Sequence, residues 1–597
     1  MSTSEPPTWP YCAHGADPAA DPVGCRGIHV PGHTACLAHL TDTDRDAYLT
    51  ALAPGDSIDH RGTTFTDSLL RALLNALHDP ATGIARLGNA FFNAAIFEGN
   101  AGFGWAAFEG MAGFEFATFE GEAAFRSATF AGVAWFESAA FKGMAGFETA
   151  TFKGDAWFES TTFGDNAWFT SAAFEGRAWF ESATFKGDVW FASATFGDNA
   201  WFTSATFEGR AWFESATFKG DVWFASATFV KADRFGPLVC TGRIVLSGAA
   251  FGGPVNLLFA ARRLECRRTR WSATAEIRLR YATVDFAHAV FEYPLTIADE
   301  PDPFILADGS ELADTALAGA PGPGVRVATL RGVDAAHLVL ADVDLSDCLF
   351  TGTVHLDQLR LEGACTFATT PPSVHWRRWP PVRFTERRVL AEEHHWRANQ
   401  PGSVQGWNVA VLGAGRTGPL QLAPVYRALR KAFEDGKHEP GAADFYYGEM
   451  EMRRHADDIP RSERGLLTAY WALSGYGLRA SRALAWLGAA MLLTIALLMA
   501  FGLAQNTPKQ TATGTVPAGG GKVTFEIDKD APQNPAGDRF TGERFEKAMN
   551  VTLNSVVFRS SGQDLTTAGT YIEMTSRLTE PVLLGLAVLA VRNRVKR

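Results

Sequence analysis

The chain has 597 residues, 47% of them hydrophobic, which is enough material for several cores rather than one domain. Its formal net charge of -11 disfavours general nucleic-acid binding by phosphate neutralisation and leaves specific acidic mimicry of DNA open. Phenylalanine occurs 45 times and glycine 58 times, a bias that points to an internal repeat.

The first segment, residues 1–40, has no basic start followed by an apolar run, so the N-terminal part is expected to stay where it is made. Seven cysteines, four of them scattered singly at Cys240, Cys266, Cys348 and Cys365, argue for a reducing cytoplasm rather than a disulfide framework. The other three, Cys12, Cys25 and Cys36, crowd together with His39. Three thiolates and one imidazole suit tetrahedral zinc, with His14, His29 or His33 as substitutes for one ligand and free thiols in a Pro-rich leader as the competing reading. A segment this short has too little core to fold unaided, so the zinc is expected to be structural; four protein ligands leave no open position for chemistry. Residues 41–91 read as two amphipathic pieces forming a helical cap, because the end of a stacked structure needs a cover.

From Phe97 to Phe229 a phenylalanine recurs every eleven residues, and a second series from Phe103 to Phe235 keeps the same step, so the gaps alternate between six and five. A small residue, usually Ala, stands two positions before each Phe, as in AWFESATFKGD. Periods of 3.6 or 2.0 would scatter these rings over every face; a chain that turns a corner about every five residues returns each to one interior column. Coils about 4.8 Å apart then bond to the coil above and below. The pattern over residues 92–236 resembles the Phe-rich form of the pentapeptide-repeat family, which implies a right-handed four-sided β-helix with two units of eleven per turn. Weaker repeats at about five-residue spacing extend the solenoid through residues 237–368, with ADGSELADTALAGAPGPG leaving it as a loop. The block starting at Arg177 recurs almost unchanged from Arg210, three units of eleven further on, which fits a scaffold better than a unique active site.

Residues 97–235 hold 18 acidic and 9 basic side chains, a net contribution of 9 - 18 = -9. The resemblance therefore keeps open the family's DNA-mimicking, gyrase-binding role. Trp157, Trp179, Trp201 and Trp223, and the set Trp168, Trp190 and Trp212, each precede an interior Phe and are expected to point outward. Two aromatic columns suggest a contact surface for a cytoplasmic protein partner; the plainer reading is that indoles tile the wall.

Residues 369–421 read as a linker. Within it NVAVLGAGRTG sets Gly413, Gly415 and Gly418 in a GxGxxG pattern, but Pro419 and Pro424 are expected to interrupt the phosphate-facing helix of a dinucleotide site, so a Gly-rich loop and no enzyme activity are expected. Residues 422–482 read as a cytoplasmic helical hairpin and juxtamembrane segment, with Glu449, Glu451, Arg453 and Arg454 as a solvated helix face rather than a catalytic cluster. The strings FEDGKHEPGAADFYYGEMEMRR and SGYGLRASRALAWL resemble the juxtamembrane linker of pentapeptide-repeat membrane proteins with a two-helix, channel-like end.

Residues 483–504 read as the first transmembrane helix, with Arg479 and Arg482 keeping its start cytoplasmic. Residues 505–547 form an extracytoplasmic loop. Residues 566–597 read as a second transmembrane helix and basic tail; its final apolar run is short, so Glu573, Arg577, Glu580 and Pro581 must enter the interface or bilayer, with Glu573 and Arg577 spaced to pair. Between them, residues 548–565 occupy the place of a re-entrant pore segment in the channel-like relatives. Arg559, Ser560, Ser561, Gly562 and Gln563 stand where a potassium filter would carry Thr-Val-Gly-Tyr-Gly, so potassium selectivity is not expected.

The expected fold is a mainly β solenoid followed by a helical linker and C-terminal transmembrane helices. The expected function is that of a non-catalytic scaffold anchored in the cell membrane, with rod and tail cytoplasmic and homo-oligomers required if the hairpin conducts. Sequence-specific nucleic-acid binding is not expected, and structural zinc is the only expected cofactor. An ion-channel-like protein with a β-helical sensor and a gyrase-binding DNA mimic are the alternatives.

Overall fold

The computed structural model describes residues 6–17, 21–317, 322–371, 384–408, 413, 415–505, 509–515, 518–529, 531–534 and 537–595. It divides into two units, Met1–Thr417 and Gly418–Arg597.

The first unit is a four-sided β-solenoid of about 12 turns. One turn runs through the two-residue strands Ile96–Phe97, Ala101–Gly102, Ala107–Phe108 and Ala112–Gly113, and the next strand, Thr118–Phe119, lies parallel on Ile96–Phe97. A turn is thus two units of eleven. The phenylalanines and the alanines two positions before them are buried, and the inter-coil backbone bonds, such as Phe136 N–H to the Trp157 carbonyl at 2.7 Å, run along the stack. Each side adds its own column of rings: Phe119 lies 4.6 Å from Phe141, Phe130 4.7 Å from Phe152 and Phe158 4.8 Å from Phe180. Corners demand special residues. Ser138, Ser160 and Ser182 sit in the left-handed region at φ 56°, and a Cβ on Gly154 would come 2.5 Å from the Gly132 carbonyl oxygen in the coil below.

The solenoid starts earlier than the sequence suggests. Helix α1 (Asp42–Ala51) and helix α2 (Asp67–Ala76) occupy the expected cap, but Ile58–Asp59 and Thr64–Phe65 between them already pair in parallel with Ala90–Phe91 and Ile96–Phe97. The first coil hides because α2 is inserted into it: the step from Phe65 to its partner Phe97 exceeds a full turn by the length of α2. Thr41 and Thr66 cap the two helices, their side-chain oxygens accepting from Asp44 N–H and Leu69 N–H.

Beyond Phe235 the strands lengthen, to Arg234–Val245 and Val255–Glu265, and each turn becomes two residues shorter, as the register of Ile244, Leu264 and Val284 shows. The insertion expected to leave the rod instead returns to it: Phe304, Leu312 and Leu317 pack on Val239 and Ala260, because three apolar side chains gain more from burial there than from solvent. Its residues 318–321 lie outside the described residues. Parallel bridging continues to Asp344 and Thr366. The expected linker after it contains helix α3 (Ala391–Ala398), whose Ala391 packs on Leu349. Glu392 Oε1 accepts from the N–H groups of Phe350 and Thr351 at 2.6 and 2.9 Å, so α3 satisfies donors of the last coils. Residues 372–383 of that segment lie outside the described residues.

The second unit is helical. Helices α4 (Pro419–Asp435) and α5 (Glu439–His455) form a hairpin in which Gly448 lies against the buried Tyr426 ring. Contrary to expectation, Pro419 and Pro424 do not interrupt α4: Pro419 takes the first helical position, where no N–H is needed, and Pro424 follows within the helix. Of the NVAVLGAGRTG run, residues 409–412 and 414 lie outside the described residues. Helix α6 (Arg461–Ser474) ends at Gly475, φ 55°. Helix α7 (Ala480–Leu497) continues through a wide π turn, Leu498–Gly502. A strand pair, Gln510–Gly514 with Phe525–Lys529, occupies the following loop. Helix α8 (Gly542–Val556) begins before the expected re-entrant segment, and helix α9 (Thr567–Val595) closes the chain. Ala480–Gly502 and Thr567–Arg592 are long and apolar enough to cross a membrane.

Candidate metal centre and aromatic faces

Residues 11–17 and 21–28 run antiparallel: Cys12 N–H donates to the Gly27 carbonyl at 2.8 Å and Ala13 N–H to the Cys25 carbonyl at 2.9 Å, which brings Cys12 near Cys25. A single 3-10 turn, Leu37–His39, follows Cys36 and swings His39 back, so its Nδ1 lies 3.3 Å from Cys36 Sγ and 3.7 Å from Cys12 Sγ. Cys25 Sγ is 3.7 Å from Cys36 Sγ, and all four ligand atoms lie within 4.8 Å of one another. Four ligands at Zn–S distances of about 2.3 Å on a tetrahedron stand about 3.8 Å apart, so the cluster has the dimensions of a metal cage; a disulfide would need about 2.05 Å. The hydrogen bond with Cys36 lowers the Cys25 thiol, and the same bond together with burial pushes Cys36 up. Two of the other histidines are otherwise engaged: His14 stacks on His39 at 4.1 Å and His29 Nε2 meets the Tyr11 carbonyl at 2.8 Å.

The knuckle is tied to the first coil. Ile28 N–H donates to the Arg61 carbonyl at 2.8 Å, and the Arg61 guanidinium lies 5.2 Å from the Trp9 ring. Beneath it, His60 is fully buried among Phe65, Phe92 and Tyr48 and its pKa is lowered to about 4 by burial.

Along the rod, Trp157, Trp179, Trp201 and Trp223 form one outward ladder with ring centroids 3.9, 5.0 and 5.0 Å apart. Trp168, Trp190 and Trp212 form a second, at 5.4 and 4.8 Å, on the opposite side. All seven are half-buried. The first ladder has a member missed in the sequence reading: Trp135 stands in register with Trp157, and its place one full turn before Trp157 was the available signal. Two residues after these indoles runs a column of carboxylates, Glu115, Glu137, Glu159 and Glu181, again one turn apart. Burial first, and the neighbouring carboxylate after it, raises Glu115 and Glu181 above the ordinary carboxylate value.

The family model for pentapeptide repeats (9 copies) matches residues 125–172, 147–195, 158–205 and 191–236. Over residues 125–236 the solenoid matches pentapeptide repeats. No curated protein and no solved structure matches the chain.

In the helical unit, of the four charged residues expected to be solvated, Glu449 and Glu451 are buried, while Arg453 and Arg454 are half-buried. Glu449 is 2% exposed and bonds Arg427 and Arg430 at 2.8 and 2.9 Å; Glu451 bonds Arg454 at 2.7 Å and accepts from the Tyr476 hydroxyl at 2.9 Å. They hold the helices of the second unit together. The segment Arg559, Ser560, Ser561, Gly562 and Gln563 is a surface turn beside α9: Ser561 Oγ reaches Glu573 Oε1 at 3.3 Å, Arg577 donates to the Arg559 carbonyl at 3.3 Å, and Glu573 pairs with Arg577 at 2.8 Å.

Proposed function

We propose that this protein is a non-catalytic pentapeptide-repeat scaffold anchored in the cell membrane by α7 and α9, with the rod and the C-terminal tail on the cytoplasmic side, and with zinc held by Cys12, Cys25, Cys36 and His39. The observation that carries the scaffold reading is the tryptophan ladder with a carboxylate column beside it. The like-charged carboxylates favour a protein partner whose surface carries Lys or Arg, and the half-buried indoles beside them favour apolar groups between those cations. Within the chain, Arg177 already lies against this surface, its guanidinium 4.8 Å from the Trp179 ring centroid.

The test is affinity capture of the full-length protein from its own membranes, run beside a Trp157→Ser/Trp179→Ser variant and at raised salt. A specific protein lost under both changes supports the reading. Capture that is indifferent to the variant removes it.

A channel-like reading is favoured by the placement of α8, whose Ala548 and Val551 pack with Ile495, Leu498 and Met499 of α7 and its extension, ahead of the Arg559 turn and α9. Oligomers would then be needed to enclose a pore, and Arg559 at its mouth would oppose cations. Bilayer recordings that show no conductance would remove this second reading.

A further inference from the structure

The two membrane-length helices pack side by side, and the buried stripe of α9 is Ser576, Glu580, Leu583, Ala587 and Ala590. A carboxyl group thus sits in a seam whose other buried members are apolar or hydroxyl-bearing. Glu580 is the fourteenth of the 26 residues Thr567–Arg592 (580 - 567 + 1 = 14), close to the middle of the span, and is 0% exposed. Its Oε1 accepts a hydrogen bond from Thr494 Oγ1 of α7 at 3.0 Å; its Oε2 is buried with no partner among the described residues.

No counter-charge among the described residues is paired with it. On its own helix, Glu573 and Arg577 are paired with each other. The single charged residue of α7, Arg482, donates to the Trp471 carbonyl at 3.2 Å. From α8, Arg544 donates to the carbonyls of Met499 and Leu503, and Lys547 pairs with Glu543. On α5 and α6, which also touch α9, Arg453 pairs with Glu463, Arg454 with Glu451, and Arg464 donates to the Ala456 carbonyl. An ionised carboxylate in a seam between apolar helices, with one neutral hydroxyl as its partner, would carry an uncompensated charge at a cost no nearby group offsets.

A proton removes that cost. We infer that Glu580 and Thr494 form a proton-binding site inside the membrane hairpin, with the hydrogen ion as its ligand. Loss of that proton would place an unpaired charge between α7 and α9 and favour their separation, so the site couples proton occupancy to the packing of the hairpin. The inference rests on the membrane reading given above.

The test uses the full-length protein in its native membranes. Dicyclohexylcarbodiimide, a hydrophobic reagent, reacts with a protonated carboxyl: the acid proton passes to a reagent nitrogen, the carboxylate oxygen bonds the central carbon, and rearrangement leaves a stable N-acylurea. Peptide mapping is expected to find the adduct on Glu580, with loss to background in Glu580→Gln. The infrared spectrum of wild type minus Glu580→Gln is expected to show the carbonyl stretch of a carboxylic acid. Either signal on Glu580 supports the site. Absence of both from protein that resists carbonate extraction would overturn the site alone, whereas release by carbonate would overturn the membrane reading and the site with it.

Discussion

Phe158 and Phe180 are a full turn of chain apart, yet their rings lie face to face, 4.8 Å between centroids at an interplanar angle of 0°. Each ring also meets Phe169, edge-on, at 5.6 and 5.5 Å, so removing one leaves a void touching three coils. Phe180→Ala is expected to cost about 3–5 kcal/mol, read as a lower denaturation midpoint of the rod, with Phe180→Leu milder.

The metal cage predicts one zinc per chain by elemental analysis of purified protein. Cys36→Ser and His39→Ala should each lose it, and Cys240→Ser, buried far along the rod, should keep it. Because the thiolates must be free of protons to bind, acidification should release the metal before the phenylalanine stack melts.

His60 gives a separate acid sensitivity. Its pKa in the folded chain is about 4, against 6.5 when unfolded, because burial favours the neutral ring. Between those values the unfolded chain binds the extra proton and the folded one does not, so stability should fall as pH drops from 6.5 to 4 and level off below. The full effect is about 3 kcal/mol. His60→Gln should flatten that part of the profile in a pH series of thermal unfolding.

What was legible in the sequence was whatever repeats. The step of eleven fixes the interior rings, and the outward tryptophans follow from their place beside them. In the knuckle, residue types marked the cage, but the choice of His39 over His14, His29 and His33 depends on the short turn after Cys36 and on the Tyr11 carbonyl that occupies His29. The first coil was hidden because α2 interrupts its period. Glu449 and Glu451 were misread because a charged helix face looks solvated until the arginines and the tyrosine that cover it, far away in sequence, are brought in by folding.

Gly448 should tolerate no side chain. A Cβ there would fall 2.3 Å from the Tyr426 ring, so Gly448→Ala must push α4 and α5 apart, at a cost of about 1–3 kcal/mol, measurable as a reduced unfolding midpoint of the helical unit.

The membrane reading makes a topological prediction. A cysteine placed at Gly520 should react with an impermeant maleimide added outside intact cells, and one placed at Val595 should react only after permeabilisation. The reverse or equal reactivity would exclude two spans with a cytoplasmic tail.

A turn made of two units gives an unusual meaning to the near-copy that begins at Arg177 and again at Arg210. The three units between those starts are one and a half turns, so duplicating such a block rotates everything downstream by half a revolution: Trp179 belongs to one ladder and its copy, Trp212, to the other. Gain or loss of an odd number of units therefore exchanges the two sides, while an even number preserves them. A gene that lengthens in units of eleven can move a surface to the far side of the molecule without altering a single codon within it.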